Sequence, residues 1–247
     1  TVTDWKWVGF KNYTRIFVVN GTVDTTFIHS IWYTALFTVV SVLIINIVSF
    51  AIAMALTKGI RGTNLFRTVF FLPNLIGGIV LSYVWLMIFN SILQNYSKTI
   101  VSSEWSAFWG LIAVVCWQQI GYMMIIYIAG ISGIDQSLYE AATVDGAGRF
   151  QKMRHITLPG LLPTFFVLLL MAIAGCLSNG LDQYLVFRNP NNMDTIRVLD
   201  LWVYDLGING GSIPLSTVIG MAKSIVSVAL LFGANSVSKA LRGESIV

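Results

Sequence analysis

Ser30 to Thr57 reads SIWYTALFTVVSVLIINIVSFAIAMALT, and no side chain in it carries a charge. A helix needs about 20 apolar residues to cross the hydrocarbon of a bilayer, and this run exceeds that length. The pattern recurs. Further charge-free stretches extend from Thr68 to Ser97, Trp105 to Ile134 and Ile156 to Leu181, and another, Pro214 to Ser238, is interrupted only by Lys223. They predict helices at about 31–56, 68–90, 107–131, 158–180 and 214–237. The fold class is therefore an all-α integral membrane protein with five transmembrane helices in this chain.

Composition agrees. The 247 residues are 56% hydrophobic and 11% charged, against about 25% charged in a soluble domain, and the mean hydropathy is +0.76. That excludes a disordered chain or a disulfide scaffold and argues against a water-soluble enzyme. Cys116 and Cys176 lie in apolar runs and fit no metal spacing. The first apolar run is too long and starts too late for a cleavable signal peptide. A net charge of +4 would suggest nucleic acid only if the cations formed a patch. They are instead scattered through the polar gaps, as in loops that set membrane orientation.

Lys58, Arg61, Arg67, Arg149, Lys152, Arg154, Lys239 and Arg242 occupy one alternating set of gaps; Lys98, Arg188 and Arg197 occupy the other, 91–106 and 181–213. The positive-inside rule assigns the first set, and with it the C-terminus, to the cytoplasm. Trp5, Trp7, Trp32, Trp85, Trp105, Trp109 and Trp202 fall at or near the opposite interface, where indole is favoured. Residues 1–28 are then an extracellular segment and 29–247 the membrane-spanning domain. Trp5, Trp7, Phe10, Tyr13 and Phe17 mixed with Lys6, Lys11 and Arg15 predict an interfacial helix within residues 1–17.

The cytoplasmic gap, 132–159, is too long for a turn and is not built as a linker. Asp135 is an N-cap candidate for a helix over Gln136 to Val144, with Leu138, Ala141 and Ala142 on one face. Asp145-Gly146 supplies the helix-ending turn. A second short helix, about Arg149 to His155, leads into Leu158-Pro159, where Pro suits the start of the next span.

Glu140-Ala141-Ala142, then Asp145-Gly146-Ala147, then Ile156-Thr157-Leu158-Pro159 resembles the EAA loop of permease subunits of binding-protein-dependent type I ABC importers. Val8-Gly9-Phe10-Lys11-Asn12-Tyr13 and Arg67-Thr68-Val69-Phe70-Phe71-Leu72-Pro73 are similar to stretches of the carbohydrate subset. The resemblance covers nearly the whole chain. It implies a type I importer transmembrane domain whose loop inserts into a dimeric cytoplasmic ATPase that binds ATP and Mg; the chain holds no cofactor itself. It also implies a second permease subunit, a different chain, an extracellular solute-binding protein, and a sugar or oligosaccharide as cargo. Glu140 would be the ion-pair or cap partner, Ala141 and Ala142 the close-packing face, and Gly146 the turn. Asp145, Ala147 and Ile156 complete the motif, and Leu158 and Pro159 would transmit motion into the fourth span. Family subunits commonly have six core helices, so the resemblance implies one more upstream of Thr1.

No catalytic or metal residues emerge. There is no Gly-x-x-x-x-Gly-Lys-Ser/Thr loop, and His29 and His155 lie at opposite ends of the topology. Polar groups in hydrocarbon mark candidates for a solute path. Ala172, Gly175, Asn179 and Asp182 form one stripe of span four, and Ser216, Gly220, Lys223 and Ser227 a stripe of span five. Gln118 and Tyr122 are one turn apart beside Trp117, and Asn74 follows Pro73. Hydroxyl, amide and aromatic groups suit a sugar; helix packing explains the same stripes equally well. Lys223 needs a counter-ion, and Asp182 lies too near the outer end for that role. Amino acids and polyamines are the alternative solutes. A secondary transporter would show repeats with interrupted helices, and a membrane-embedded enzyme would need a catalytic cluster; neither is visible.

Overall fold

The computed structural model describes residues 7–19, 22–23, 25–57, 61–94, 98–175, 177–178 and 180–242. Trp5, Lys6, Lys58, Cys176 and Asn179, singled out above, lie outside them. Among the described residues the only strands are Val18–Val19 and Thr22–Val23, an antiparallel pair with Val18 opposite Val23. The rest of the ordered structure is helical.

Helix α1 (Lys11–Phe17) is short, with Trp7 and Phe10 exposed ahead of it and the Tyr13 hydroxyl turned to Met221. Helix α2 (Thr25–Leu56) is the first span. Its buried stripe is the more polar one: Ser30, Thr34, Ser41, Asn46 and Ser49 face inward, while Val39, Leu43 and Ile47 face out. Lipid is as apolar as any core, so small and polar residues mark helix contacts instead. Their hydrogen bonds stay inside the bundle. Ser30, Thr34 and Thr38 donate to carbonyls one turn back, Ser49 donates to the Ile120 carbonyl at 3.0 Å, and Tyr127 donates to Asn46 Oδ1 at 2.6 Å. The last two tie α2 to α5 (Glu104–Ser132). Ser103 and Ser106 cap α5 reciprocally, each side chain accepting from the other's backbone N–H at 3.2 Å.

The predicted single helix at 68–90 is a broken one. Helix α3 (Thr63–Phe71) ends in a tight 3₁₀ turn, Leu72–Leu75, and α4 (Gly78–Leu93) starts after a bend of 103°. Pro73 lacks an N–H, and Ile76 and Gly77 have extended ψ of 132° and 138°, so the hydrogen-bond ladder stops there. The pair still runs from one end of the bundle to the other. Thr63 and Arg67 stand beside the ends of α2 and α5, while Asn90 of α4 accepts from the Ile100 N–H just ahead of α5. Among the described residues four continuous helices plus this bent pair make the five predicted spans.

The predicted break between a short second loop helix and the fourth span is absent. Helix α6 (Gln136–Val144) stands alone, but α7 (Arg149–Lys152) continues through a π turn, Met153–Thr157, into α8 (Leu158–Ala174). Pro159 cannot donate to the His155 carbonyl, and the ladder adjusts by one residue: the Leu158 N–H bonds Met153 O. The fourth span also ends earlier than predicted, at Ala174, with Gly175 closing it.

Residues 181–213, predicted as an outer gap, fold into the core. Helices α9 (Leu181–Phe187) and α10 (Leu199–Tyr204, running on as a π turn to Asn209) contribute Tyr184, Phe187 and Leu201, and the connection between them Ile196 and Val198, to the main cluster around Tyr33, Phe37 and Phe108. The Leu199 N–H donates to Thr34 Oγ1 at 3.1 Å, seating α10 on α2. Four charges of the segment pair within it: Arg188 with Asp205 at 2.7 Å and Arg197 with Asp194 at 2.8 Å. Helix α11 (Ile213–Arg242) closes the bundle against α8 and leaves Ile225, Val228 and Phe232 facing out.

The tightest crossing is α3 on α5. A Cβ at Gly121 would collide with the Phe70 carbonyl and stand 2.8 Å from Phe71 Cα. Gly121→Ala must push the two backbones apart, at a cost of about 1–3 kcal/mol. Its apparent melting temperature in detergent falls below the parent's. Gly220→Ala, which meets nothing within 4 Å, melts as the parent does.

Candidate functional site

Two places gather the residues that carry chemistry. The first is the helix break. Gln118 of α5 donates from Nε2 to the Ile76 carbonyl at 3.2 Å, and its own carbonyl accepts from Asn74 Nδ2 at 3.5 Å. Gln183 of α9 donates to Gln118 Oε1 at 3.0 Å, so an amide chain links α9, α5 and the break. Asp182 packs on the first residue of α4: a Cβ at Gly78 would stand 2.9 Å from Asp182 Oδ2. A carboxylate there complements the positive end of α4. Gln183 Oε1 is buried without a partner, an acceptor left open beside Gly180, whose φ of 36° only glycine takes easily.

Sequence reasoning found Asn74, Gln118 and Asp182 but missed Gln183. Asp182 does not belong to the stripe of span four, because α8 ends before it and α9 is a separate helix. Ala172 and Gly175 stay on the α8 side. Tyr122 does not join Gln118: its side chain is exposed and makes no hydrogen bond with the cluster. Trp117 is also exposed, edge-on to Trp85 at 5.2 Å. The cluster offers amide donors and acceptors and one carboxylate. No group of three or more His, Cys, Asp or Glu able to hold a metal occurs among the described residues.

Lys223 has its counter-ion. It forms an ion pair with Asp200 of α10, both side chains 19% exposed. The pair fastens α10 to α11 as Thr34 fastens it to α2. Asp200 lay in the supposed outer gap, which hid it.

The second place is the loop. Asp135 accepts from the Ser137 N–H at 2.9 Å, and that bond holds its carboxyl below the usual carboxylate range. At the other end of α6 the Gly146 N–H bonds Thr143 O at 3.1 Å and the Ala147 N–H bonds Ala142 O at 2.8 Å, with Gly146 at φ 75°. This is a Schellman cap, and it requires the left-handed residue. Tyr139 and Thr157 share a hydrogen bond of 2.9 Å, and Lys152 donates to Thr143 Oγ1 at 2.6 Å, bracing α6 on α7 and the π turn. Glu140 and Ala141 are exposed, with Leu138, Val144 and Phe150; Val144 is 89% and Phe150 66% exposed. Ala142 and Ile156 are half-buried, and Leu158 and Pro159 are exposed at the start of α8. Val144 and Phe150 were overlooked, although large apolar residues in a loop this polar are themselves a signal.

Apolar spans, one broken around a polar cluster and two joined by a capped loop with exposed apolar side chains, define a multi-pass membrane protein. The chain belongs to the family of binding-protein-dependent transport system inner membrane components, whose family model matches residues 47–242. It is 32% identical over 243 residues to the probable starch degradation products transport system permease protein AmyD of Thermoanaerobacterium thermosulfurigenes, covering 93% of this chain and 80% of that one. It is 28% identical over 256 residues to the polygalacturonan/rhamnogalacturonan transport system permease protein YteP of Bacillus subtilis, covering 98% and 77%. Its fold matches a chain of a bacterial alginate ABC transporter, solved in complex with an alginate pentasaccharide-bound periplasmic protein. The TM-score is 0.85 at 23% identity, over 97% of this chain and 85% of that chain.

The ion pair and the amide chain can be tested separately. Asp200→Asn leaves the Lys223 charge unpaired. The loss is on the order of 2–3 kcal/mol, below the 3–5 of a fully buried pair, and Asp200→Asn/Lys223→Met regains most of it. Apparent melting temperatures of the two variants measure this; a single variant as stable as the parent shows that the pair holds nothing. Gln118→Leu keeps bulk but orphans the Ile76 carbonyl, and amide exchange at 76–81 should accelerate at least tenfold, which corresponds to about 1.4 kcal/mol.

Proposed function

We propose that this chain is the membrane-spanning subunit of an ATP-driven importer, forms part of the path for a sugar or oligosaccharide, and couples to a cytoplasmic ATPase through residues 132–159. The observation that carries the reading is the loop: a helix capped at both ends, braced on the following span, and presenting apolar side chains in a chain of this family. Saccharide cargo is supported by relatives named for starch degradation products and for polygalacturonan, and by the alginate transporter. The periplasmic protein in that transporter's complex supports a solute-binding partner. A second permease subunit, a different chain, and a dimeric ATPase complete the assembly.

In this reading the chain performs no catalysis and holds no cofactor. ATP and Mg bind the ATPase, whose closure moves α6. The cation bias places the loop and the C-terminus in the cytoplasm and the α1 end outside. Glu140, Ala141 and Ala142 form the docking face with Leu138, Val144 and Phe150, Asp145, Gly146 and Ala147 end it, and Ile156, Leu158 and Pro159 pass movement into α8. Asn74, Gln118, Gln183 and Asp182 offer a sugar the hydrogen bonds it loses on leaving water, while Trp117, Tyr122 and Lys223 lie beside rather than within this cluster.

Glu140→Ala removes the free charge of the docking helix, and Gly146→Val forces a β-branched residue into left-handed backbone, costing at least about 1–2 kcal/mol. Both variants should reach the membrane yet recover less ATPase on purification and take up less sugar. Parental uptake and parental ATPase recovery in both would overturn the assignment.

A further inference from the structure

Beneath the 132–159 loop lies a cavity of about 950 Å³, within the about 300–1,000 Å³ usual for small-molecule sites. Its two halves differ. Met54 and Leu56 at the end of α2 and Ile131 at the end of α5 give it an apolar floor, whereas Arg67, Arg149 and Lys152 bring three cations to its wall. Glu140 is the single carboxylate in the lining, one negative charge against three positive, and forms no ion pair with any of them.

The fold uses only one of these cations, Lys152, and only as a hydrogen-bond donor. Among the described residues neither Arg67 nor Arg149 pairs with a carboxylate, and Lys152 donates to a neutral hydroxyl, that of Thr143. Arg67 Nε is buried without any acceptor. Cations serving orientation alone need only lie in the loop. They do not need to converge from α3 and α7 on one concavity, where they repel one another and leave a guanidinium nitrogen orphaned. A bound anion removes both costs.

We propose that this cavity binds a phosphate-bearing anion. The planar fork of arginine matches phosphate oxygens two at a time, and Lys152 adds a point charge. The apolar floor at the border of the spans has room for the rest of the molecule. Two sources carry this chemistry: the head group of an anionic phospholipid, and a soluble phosphate.

The test uses the full-length protein, with the subunits that purify with it, in phosphatidylcholine nanodiscs. One arm adds phosphatidylglycerol to the discs; the other adds millimolar inorganic phosphate at constant ionic strength. Apparent melting temperature is followed in both. The parent should be stabilised in at least one arm, and the responding arm identifies the source. Arg67→Gln/Arg149→Gln should need at least about tenfold more ligand for the same stabilisation. Arg154→Gln, a cation of the same loop outside the cavity lining, should respond as the parent. If the double variant does not assemble, Lys152→Met in the cavity wall replaces it and should still shift the response several-fold. No stabilisation in either arm, or equal responses of parent and cavity variants, would overturn the proposal.

Discussion

A carbonyl without a donor in hydrocarbon has no water to turn to, so every interruption of a membrane helix must be closed by the protein itself. The bend at Leu72–Gly77 is such an interruption. Gln118 closes it by donating to Ile76 O, Gln183 orients Gln118, and Asn74 returns a bond to the Gln118 backbone. Once those bonds are required, α9 cannot be a surface loop. It must be held where Gln183 reaches α5, and Tyr184 and Phe187 of the same helix are fully buried in consequence. The bend therefore determines where α9 sits.

Legibility in the sequence followed the range of the interaction. The spans were visible because absence of charge is a local property. The ends of α6 were visible for the same reason: Asp135 caps within two residues and Gly146 turns within five. The segment 181–213 was misread because Asp182, Arg188, Arg197, Asp200 and Asp205 look like solvated charges in one dimension. Arg188 finds Asp205 across 17 residues and Lys223 finds Asp200 across 23, and paired charges can be taken into a core. Hydropathy also could not separate a straight span from a bent one. Leu-Pro-Asn-Leu-Ile-Gly-Gly is as apolar as a helix, and only Pro73 with Gly77 and Gly78 pointed to the bend.

The candidate site divides the same way. The loop motif is contiguous, so its residues could be named in advance. The polar cluster is assembled from three elements, and of its four side chains the one missed, Gln183, was hidden by the segment that was misread. Tyr122 shows the converse error: helical spacing placed it on the Gln118 side of α5, but one turn along the helix the neighbouring backbone is that of α3, packed on Gly121, and no amide reaches it.

Stiffness and compliance are distributed unequally along the path from loop to bundle. Helix α6 is capped at both ends and braced twice, through Tyr139–Thr157 and Lys152–Thr143, so it can shift little without carrying α7 and the π turn along. From there the helix is continuous into α8, but its ladder is thinned where Pro159 and Pro163 lack N–H groups. Under the proposed coupling, a displacement of α6 would enter α8 as a bend near Pro159–Pro163 rather than as a translation of the whole span. At that same stretch α8 packs on α5 through Gly130, where a Cβ would stand 2.8 Å from both Leu161 Cδ2 and Thr164 Oγ1. With no side chain at Gly130 the two helices touch closely enough for the bend to be felt in α5, the helix that carries Gln118. One continuous helix and one close crossing thus connect the exposed face of the loop to the polar cluster at the break.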